Sequence, residues 1–165
     1  MKIPELTPFF GLPAQSAEFD QYLTAHGIAE RPVYQQNPTE AIDRPEDGIS
    51  LIFMPKFGYE KFWGAAREDG EMIFAEIRIY GENNDDSYSG YAHPWPYGLT
   101  CSSTLQEAKA VFGEPTLDHP SGDNRVYVWY NFRDEGFSVA LCILPDDKGI
   151  AFLDLERAKL RAPKY

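Results

Sequence analysis

Two cysteines in 165 residues, Cys101 and Cys142, are too few for a disulfide scaffold, and their spacing matches no metal site. Cys142 falls inside an alternating apolar run and reads as a small core residue. Long apolar runs are also missing: nothing approaches the roughly 20 residues that a bilayer-crossing helix needs. Basic charge is scarce. Fifteen Lys and Arg stand against 26 Asp and Glu, for a net charge of −11 and a pI of about 4.6. That sign argues against nucleic acid and against an anionic membrane surface as partners. It fits two readings, a surface charged for solubility or a basic partner protein approached by electrostatic steering.

The signatures of catalysis are absent too. There is no glycine-rich phosphate loop, no GxSxG elbow, and no HExxH or CxxC. Of the three histidines, His26, His93 and His119, none sits at ligand spacing from another. Asp118-His119-Pro120, with Asp123 nearby, is the one local acid–histidine cluster, and it lies in a stretch whose Asp, Pro and Gly read as turn residues. Asp85-Asp86 and Asp146-Asp147 lack the alternating carboxylates of a calcium loop. Cys101, Ser102 and Ser103 precede a helical pattern, where capping accounts for the serines. The expectation is a protein that is not an enzyme, with no catalytic residues, no metal and no cofactor. MKIPELTPFFGLPAQ has one Lys and three prolines without an apolar core segment, so no secretion signal is expected and the cytoplasm is the expected compartment.

What is present is best patterned over residues 97–156. Leu105, Ala108, Val111 and Phe112 recur near helical spacing, Thr104 and Glu107 fit a capping box, and Gly113 and Pro115 stop the helix. Three strand patterns follow. Val126, Val128, Tyr130 and Phe132 should share one face of the first, and Phe137, Val139, Leu141 and Ile143 one face of the second. Turn chemistry at 133–136 and 145–149 joins them into an antiparallel meander whose apolar face the helix covers.

The first half reads as a looser copy. Leu6, Phe9 and Phe10 are stopped by Gly11 and Pro13. A helix follows, with Ser16 at its N-cap, Gly27 past its end, and Phe19, Tyr22, Leu23 and His26 on one side. His26 should meet the last carbonyls of that helix or pack at its edge. Residues 29–48 read as loop with a short strand at 33–34, and 48–54 as a buried strand. Residues 59–81 read as a hairpin turning at Glu68, Asp69 and Gly70, with Ile73, Ala75, Ile77 and Ile79 on its apolar face and Glu76 and Arg78 in solvent. Phe10-Gly11-Leu12-Pro13 and Phe112-Gly113-Glu114-Pro115 would mark corresponding points of two modules, 1–81 and 97–156. The expected fold is α+β in one domain of 165 residues, from two similar helix-plus-three-strand modules with the helices on one face. The strands form one six-stranded antiparallel sheet or two abutting sheets.

Residues 82–96 join the modules and combine carboxylates with aromatics. Either the aromatics pin the linker onto the core, or the linker is a contact surface of rigid aromatic anchors beside acidic groups. The expected partner-binding residues are Asp85, Asp86, Tyr88, Tyr91 and Trp95, with Glu82 as a steering charge.

PYGLTCSSTLQEAKAVFGEPT followed by VYVWYNFRDEGFSVALCILPDDKGIAFLDL resembles immunity proteins of bacterial polymorphic-toxin and interbacterial effector systems. The resemblance rests on Gly98, Leu99, Leu105, Ala108, Phe112, Gly113 and Pro115, then on Trp129, Tyr130, Gly136, Val139, Ile150, Leu153 and Leu155. Pro96-Tyr97 departs from the Leu-Pro that precedes Gly-Leu in such families. The same unit is similar to the tandem repeats of β-lactamase-inhibitor-protein-like folds. The resemblance covers 96–156 well and the first half weakly. It implies a cytoplasmic protein that binds and neutralises one cognate toxin, for instance a basic nuclease; the alternative is a chaperone or adaptor for a secreted effector.

Overall fold

The computed structural model describes residues 1–35, 40–132 and 136–160. Its strands are β1 (Glu40–Arg44), β2 (Ile49–Pro55), β3 (Met72–Tyr80), β4 (Leu117–Ser121), β5 (Asn124–Phe132), β6 (Phe137–Ile143) and β7 (Ile150–Arg157). They build one seven-stranded antiparallel sheet in the order β1-β2-β3-β7-β6-β5-β4. The four α-helices are α1 (Ile3–Leu6), α2 (Ala17–Ala25), α3 (Lys56–Trp63) and α4 (Leu105–Phe112), so the fold is α+β with an antiparallel sheet. Both halves of the chain share that single sheet, and the last strand of each, β3 and β7, pair at its centre.

One face of the sheet carries the main core. Phe19 and Leu23 of α2 and Ala108 and Phe112 of α4 pack there against Phe53, Phe74, Trp129, Leu141 and Leu153. Phe19 lies 5.1 Å from Phe74 between ring centres, and Phe112 lies 4.6 Å from Phe132. The start of α4 and the end of α2 are closed as their sequences ask. On α4, the Glu107 N–H donates to Thr104 Oγ1 at 3.2 Å and the Thr104 N–H to Glu107 Oε2 at 2.7 Å. On α2, Gly27 has φ +71°, its N–H donates to the Thr24 carbonyl and that of Ile28 to Leu23, a Schellman close. His26 Nδ1 lies 2.9 Å from the Tyr22 carbonyl, one of the last of that helix. Ser16 holds the N-cap position, but its hydroxyl is buried without a hydrogen bond among the described residues.

Several expectations from the sequence are corrected. Residues 56–63 form α3 and not a hairpin arm, because Tyr59, Phe62 and Trp63 recur at three and four residues and stack as helix neighbours (Tyr59–Trp63, 5.2 Å). That helix lies on the opposite face of the sheet from α2 and α4, against Ile73 and Ala75, so the helices are not all on one side. The sheet has seven strands, since β1 arises within the stretch read as loop and β4 within the polar stretch after α4. No strand forms at 33–34. Of the turn expected at 133–136, residues 133–135 lie outside the described residues.

Register shifts in β3, β5 and β7 change the faces, the last turning both Ala151 and Phe152 to the side of Cys142. Ile52 faces Glu76 while Phe53 faces Phe74, so Ala75 is the extra residue and the alternation of β3 slips. Met72, Phe74, Ile77 and Ile79 therefore point to the main core, and Ile73 and Ala75 do not. In β5 the shift between Trp129 and Phe132, with Asn131 at φ +50°, sends Phe132 to the helix face while Val126, Val128 and Tyr130 stay on the other.

Gly81 leaves β3 pressed against the start of β7: its N–H donates to the Ala151 carbonyl at 2.8 Å, and a Cβ there would stand 2.0 Å from the Ile150 carbonyl oxygen. Gly122 is the first of two central residues in the β4–β5 turn, at φ +60° and with open space around it. Gly81→Ala is expected to cost about 3 kcal/mol, the upper end of overpacking, and Gly122→Ala about 1 kcal/mol from backbone strain alone. Urea unfolding of the two variants checks the order; equal losses would contradict the close seat of Gly81.

Candidate functional site

The register of the sheet assembles a site on the face away from α2 and α4. Three cross-strand rows lie side by side there. Glu76 faces Glu156, which faces Ser138. Arg78 faces Asp154, followed by Ala140, Val128 and Leu117. Tyr80 faces Phe152, followed by Cys142, Val126 and His119. All of these residues except Ser138 and Tyr80 line an open groove of about 900 Å³.

Each end of the groove is closed by a piece of chain held by specific bonds. At one end the strand leaving β7 is clamped. Asn131 Nδ2 donates to the Lys159 carbonyl and the Lys159 N–H returns to Asn131 Oδ1, both at 2.8 Å. Trp63 Nε1 donates to the Arg157 carbonyl at 2.9 Å, tying α3 to the same segment. At the other end lies residues 82–89, shaped by Asn84. Its Nδ2 donates to the carbonyls of Gly81 (2.8 Å) and Tyr88 (2.9 Å), and its Oδ1 accepts from the N–H groups of Asp86 (3.1 Å) and Tyr88 (3.0 Å). Asp85 then reaches Asn124 Nδ2, 3.3 Å away at the start of β5.

Charges on the floor are mostly paired. Arg78 makes a two-pronged bridge to Asp154, 2.6 and 2.8 Å, and its guanidinium lies 3.9 Å over the Phe152 ring. Burial works against the Arg78 charge, and the Asp154 carboxylate outweighs it, so the guanidinium is held above its ordinary value. Lys159 bridges Glu156 at 3.0 Å with both side chains largely buried (14% and 13% exposed), and faces the Tyr130 ring at 5.0 Å. Burial pushes the Glu156 carboxyl up to about 7; Lys159 holds it down and Asp154 adds to the rise. Glu76 differs. Among the described residues no hydrogen bond or ion pair reaches its carboxyl. Burial, with the Asp154 and Glu156 charges adding to it, holds that carboxyl well above the ordinary carboxylate range.

The structure divides the residues expected from sequence. Glu82, Asp85 and Asp86 are exposed, and Asp85 and Asp86 stand on the groove wall. The aromatics mainly pin the linker. Tyr91 is 6% exposed and donates its hydroxyl proton to the Met1 carbonyl at 2.9 Å, so it offers no surface for a partner. Tyr88 stacks flat on Tyr80 at 4.0 Å, and Trp95 is half-buried against the main core. Glu76 and Arg78, expected in solvent, line the groove, because that face is concave and flanked by α3 and residues 82–89.

The remaining polar motifs have local partners. Asp118 bonds Arg125, and His119 Nδ1 lies 3.2 Å from the Pro120 carbonyl, so the two do not form a dyad. Asp147 accepts the Leu105 N–H at 2.8 Å and closes the start of α4. Ser103 Oγ accepts from the Thr100 N–H at 2.9 Å. Cys142 is buried on the groove side of β6, and burial pushes its thiol up to about 11. Among the described residues no three His, Cys, Asp or Glu converge to hold a metal ion, and no helix is long and apolar enough to cross a membrane. Sequence reading missed Glu76, Arg78, Asp154, Glu156 and Lys159. Alternation of Asp154 and Glu156 with Leu153 and Leu155 was the available signal, but the partner strand was not.

A pH dependence follows. Glu76 and Glu156 hold a proton more tightly folded than unfolded, so their stabilising contribution is complete below the ordinary value of 4.5. It is lost as pH rises through the folded values, about 7 for Glu156. Glu5, Glu30 and Asp69, held low by Tyr22, Arg44 and Lys56, act only below that window. Stability is expected to fall by on the order of 1–3 kcal/mol between about pH 5.5 and 8, and Glu76→Gln should flatten the slope and raise the midpoint at the upper pH. Urea unfolding across that range checks it; an unchanged slope in Glu76→Gln would remove Glu76 as the cause.

No family model matches the chain, and no curated protein matches it. Among solved structures it is similar to a DUF4309 family protein (YjgB) from Bacillus subtilis subsp. subtilis str. 168, with 16% identity and a TM-score of 0.41 over 88% of this chain and 81% of that one.

Proposed function

We propose that the protein is an immunity protein that binds a cognate bacterial toxin directly and neutralises it, working in the cytoplasm of the toxin-producing cell. The observation that carries the reading is the open groove walled by Asp85, Asp86 and Asp118 on a chain of net charge −11. A concave, preformed surface with acidic walls suits a basic protein better than nucleic acid or an anionic membrane. A toxin that acts on nucleic acid carries a cationic groove of its own, and carboxylates presented on a rigid rim occupy it as phosphates would. Asn84 makes that rim rigid, so little ordering entropy opposes binding. Neutralisation in this reading is occlusion and requires no chemistry from the inhibitor.

Co-expression is the direct test. Growth arrest caused by the toxin reading frame adjacent to this one should be relieved by this protein, and the two proteins should co-purify. Failure of rescue with every adjacent toxin frame would falsify the immunity reading. Within a confirmed pair, Asp85→Lys with Asp86→Lys is expected to slow association by about tenfold or more at low salt and weaken its salt dependence. Thermal stability should hardly change, since both side chains are exposed. Stopped-flow association at two ionic strengths reads this out, and unchanged rates would place the contact elsewhere.

A further inference from the structure

Of the described arginines, Arg31, Arg44, Arg78 and Arg125 each meet a carboxylate. Arg67 and Arg157 meet none among the described residues, in a chain where 26 acidic residues stand against 15 basic ones. Both flank the Tyr59 hydroxyl of α3. Arg157 Nη1 lies 3.5 Å from that oxygen. A Cβ on Gly11 would stand 3.0 Å from the same oxygen and 3.0 Å from Arg67 Cδ, so a bare backbone at Gly11 lets the two side chains close in. The backbones of both arginines are fixed. The Arg67 N–H donates to the Gly11 carbonyl at 2.9 Å, and the Arg157 carbonyl accepts from Trp63 Nε1 at 2.9 Å. Within each guanidinium it is Nη1 that serves the fold, on Arg67 toward the carbonyls of Pro8 and Phe10 and on Arg157 toward Tyr59. The parallel Nε–H and Nη2–H, the prongs with which Arg78 grips Asp154, donate to nothing among the described residues on either one. Arg67 is exposed and Arg157 half-buried, so neither fork is sealed in.

We propose that Arg67 and Arg157 form an oxyanion site that takes one phosphate group, free or as the monoester of a small molecule, beside the Tyr59 hydroxyl. Two guanidinium charges match a dianion, and a tetrahedral phosphate has oxygens for two forks where a single carboxylate fills one. Tyr59 is a positioning residue. Its oxygen orients Arg157, and burial keeps the phenol protonated above its usual range, so it brings no negative charge to compete for the arginines. The charges acting on that hydroxyl are those of Arg157 and Arg67, and no carboxylate stands among them. A net charge of −11 repels anions at a distance, so occupancy depends on the two forks at short range. The same field disfavours a nucleic-acid backbone and leaves small phosphates as the ligand class. None of the three residues lines the groove, so the site stands or falls apart from the reading of the protein as a toxin inhibitor.

Inorganic phosphate titrated into the full chain, with the arginine Nε–H signals followed by NMR, tests the site. The signals of Arg67 and Arg157 should move together and saturate, while that of Arg78 stays still. Arg157→Gln, and Arg67→Lys, which keeps the charge and loses the fork, should each weaken phosphate binding by at least about tenfold. Arg157→Gln carries the decision if Arg67→Lys loosens residues 8–10, because the Arg157 side chain makes no other hydrogen bond among the described residues. Acetate should bind at least about tenfold more weakly than phosphate. Methyl phosphate in a parallel titration separates the two sources: tighter binding than inorganic phosphate marks a monoester and weaker binding the free ion, and either supports the site. Equal shifts from sodium chloride at matched ionic strength, or shifts spread alike over Arg31, Arg44 and Arg125, would overturn it. So would acetate binding as tightly as phosphate, or phosphate binding unchanged in Arg157→Gln.

Discussion

β3 and β7 end their respective halves of the chain, and their antiparallel pairing, from Glu76 opposite Glu156 to Tyr80 opposite Phe152, makes the two halves one sheet. Everything on the open face depends on it. It sets Arg78 beside Asp154 for a two-pronged bridge and places two carboxyls, Glu76 and Glu156, directly across from each other. Like charges in opposed positions weaken a sheet. Here the cost is limited because burial keeps both protons bound well above the usual carboxylate range, and because Lys159 folds back over Glu156.

The groove thus mixes two kinds of buried charge with different consequences. Arg78 and Asp154 are desolvated but fully engaged, an arrangement that adds geometric definition more than net stability. Glu76 is half-buried and, among the described residues, without a hydrogen bond or ion pair, a position where an amide side chain would cost less at neutral pH.

The rim works by a different principle. Asn84 uses both ends of its amide to fold residues 82–89 on themselves, and Tyr88 stacked on Tyr80 anchors the loop to the last residue of β3. Asp85 and Asp86 are held out by this framework, so the polar amide and the ring do structural work while the carboxylates remain accessible. At the opposite end Asn131 does the same for Lys159.

Local chemistry was legible from residues alone. The Thr104–Glu107 capping box, the close of α2 at Gly27, and the strands β2, β5, β6 and β7 follow from spacing and turn residues, because the interactions that make them lie within a few positions of one another. α3 was misread where aromatic residues fit both periods, and β1 and β4 were missed because edge strands bury little and so show little pattern. Of the site, the acidic rim was visible as composition, and its aromatics proved to be anchors for the core. The floor was not visible. That β7 lies beside β3 is set by contacts across 70 or more positions, as between Arg78 and Asp154, 76 apart, and the residues turned over by the bulge in β3 are set by its register against β2. The sequence by itself determined the elements, their caps and the excess of negative charge. Only the tertiary structure decided that Glu76 would face a groove with no partner among the described residues, since that depends on strand register and on the company that register brings.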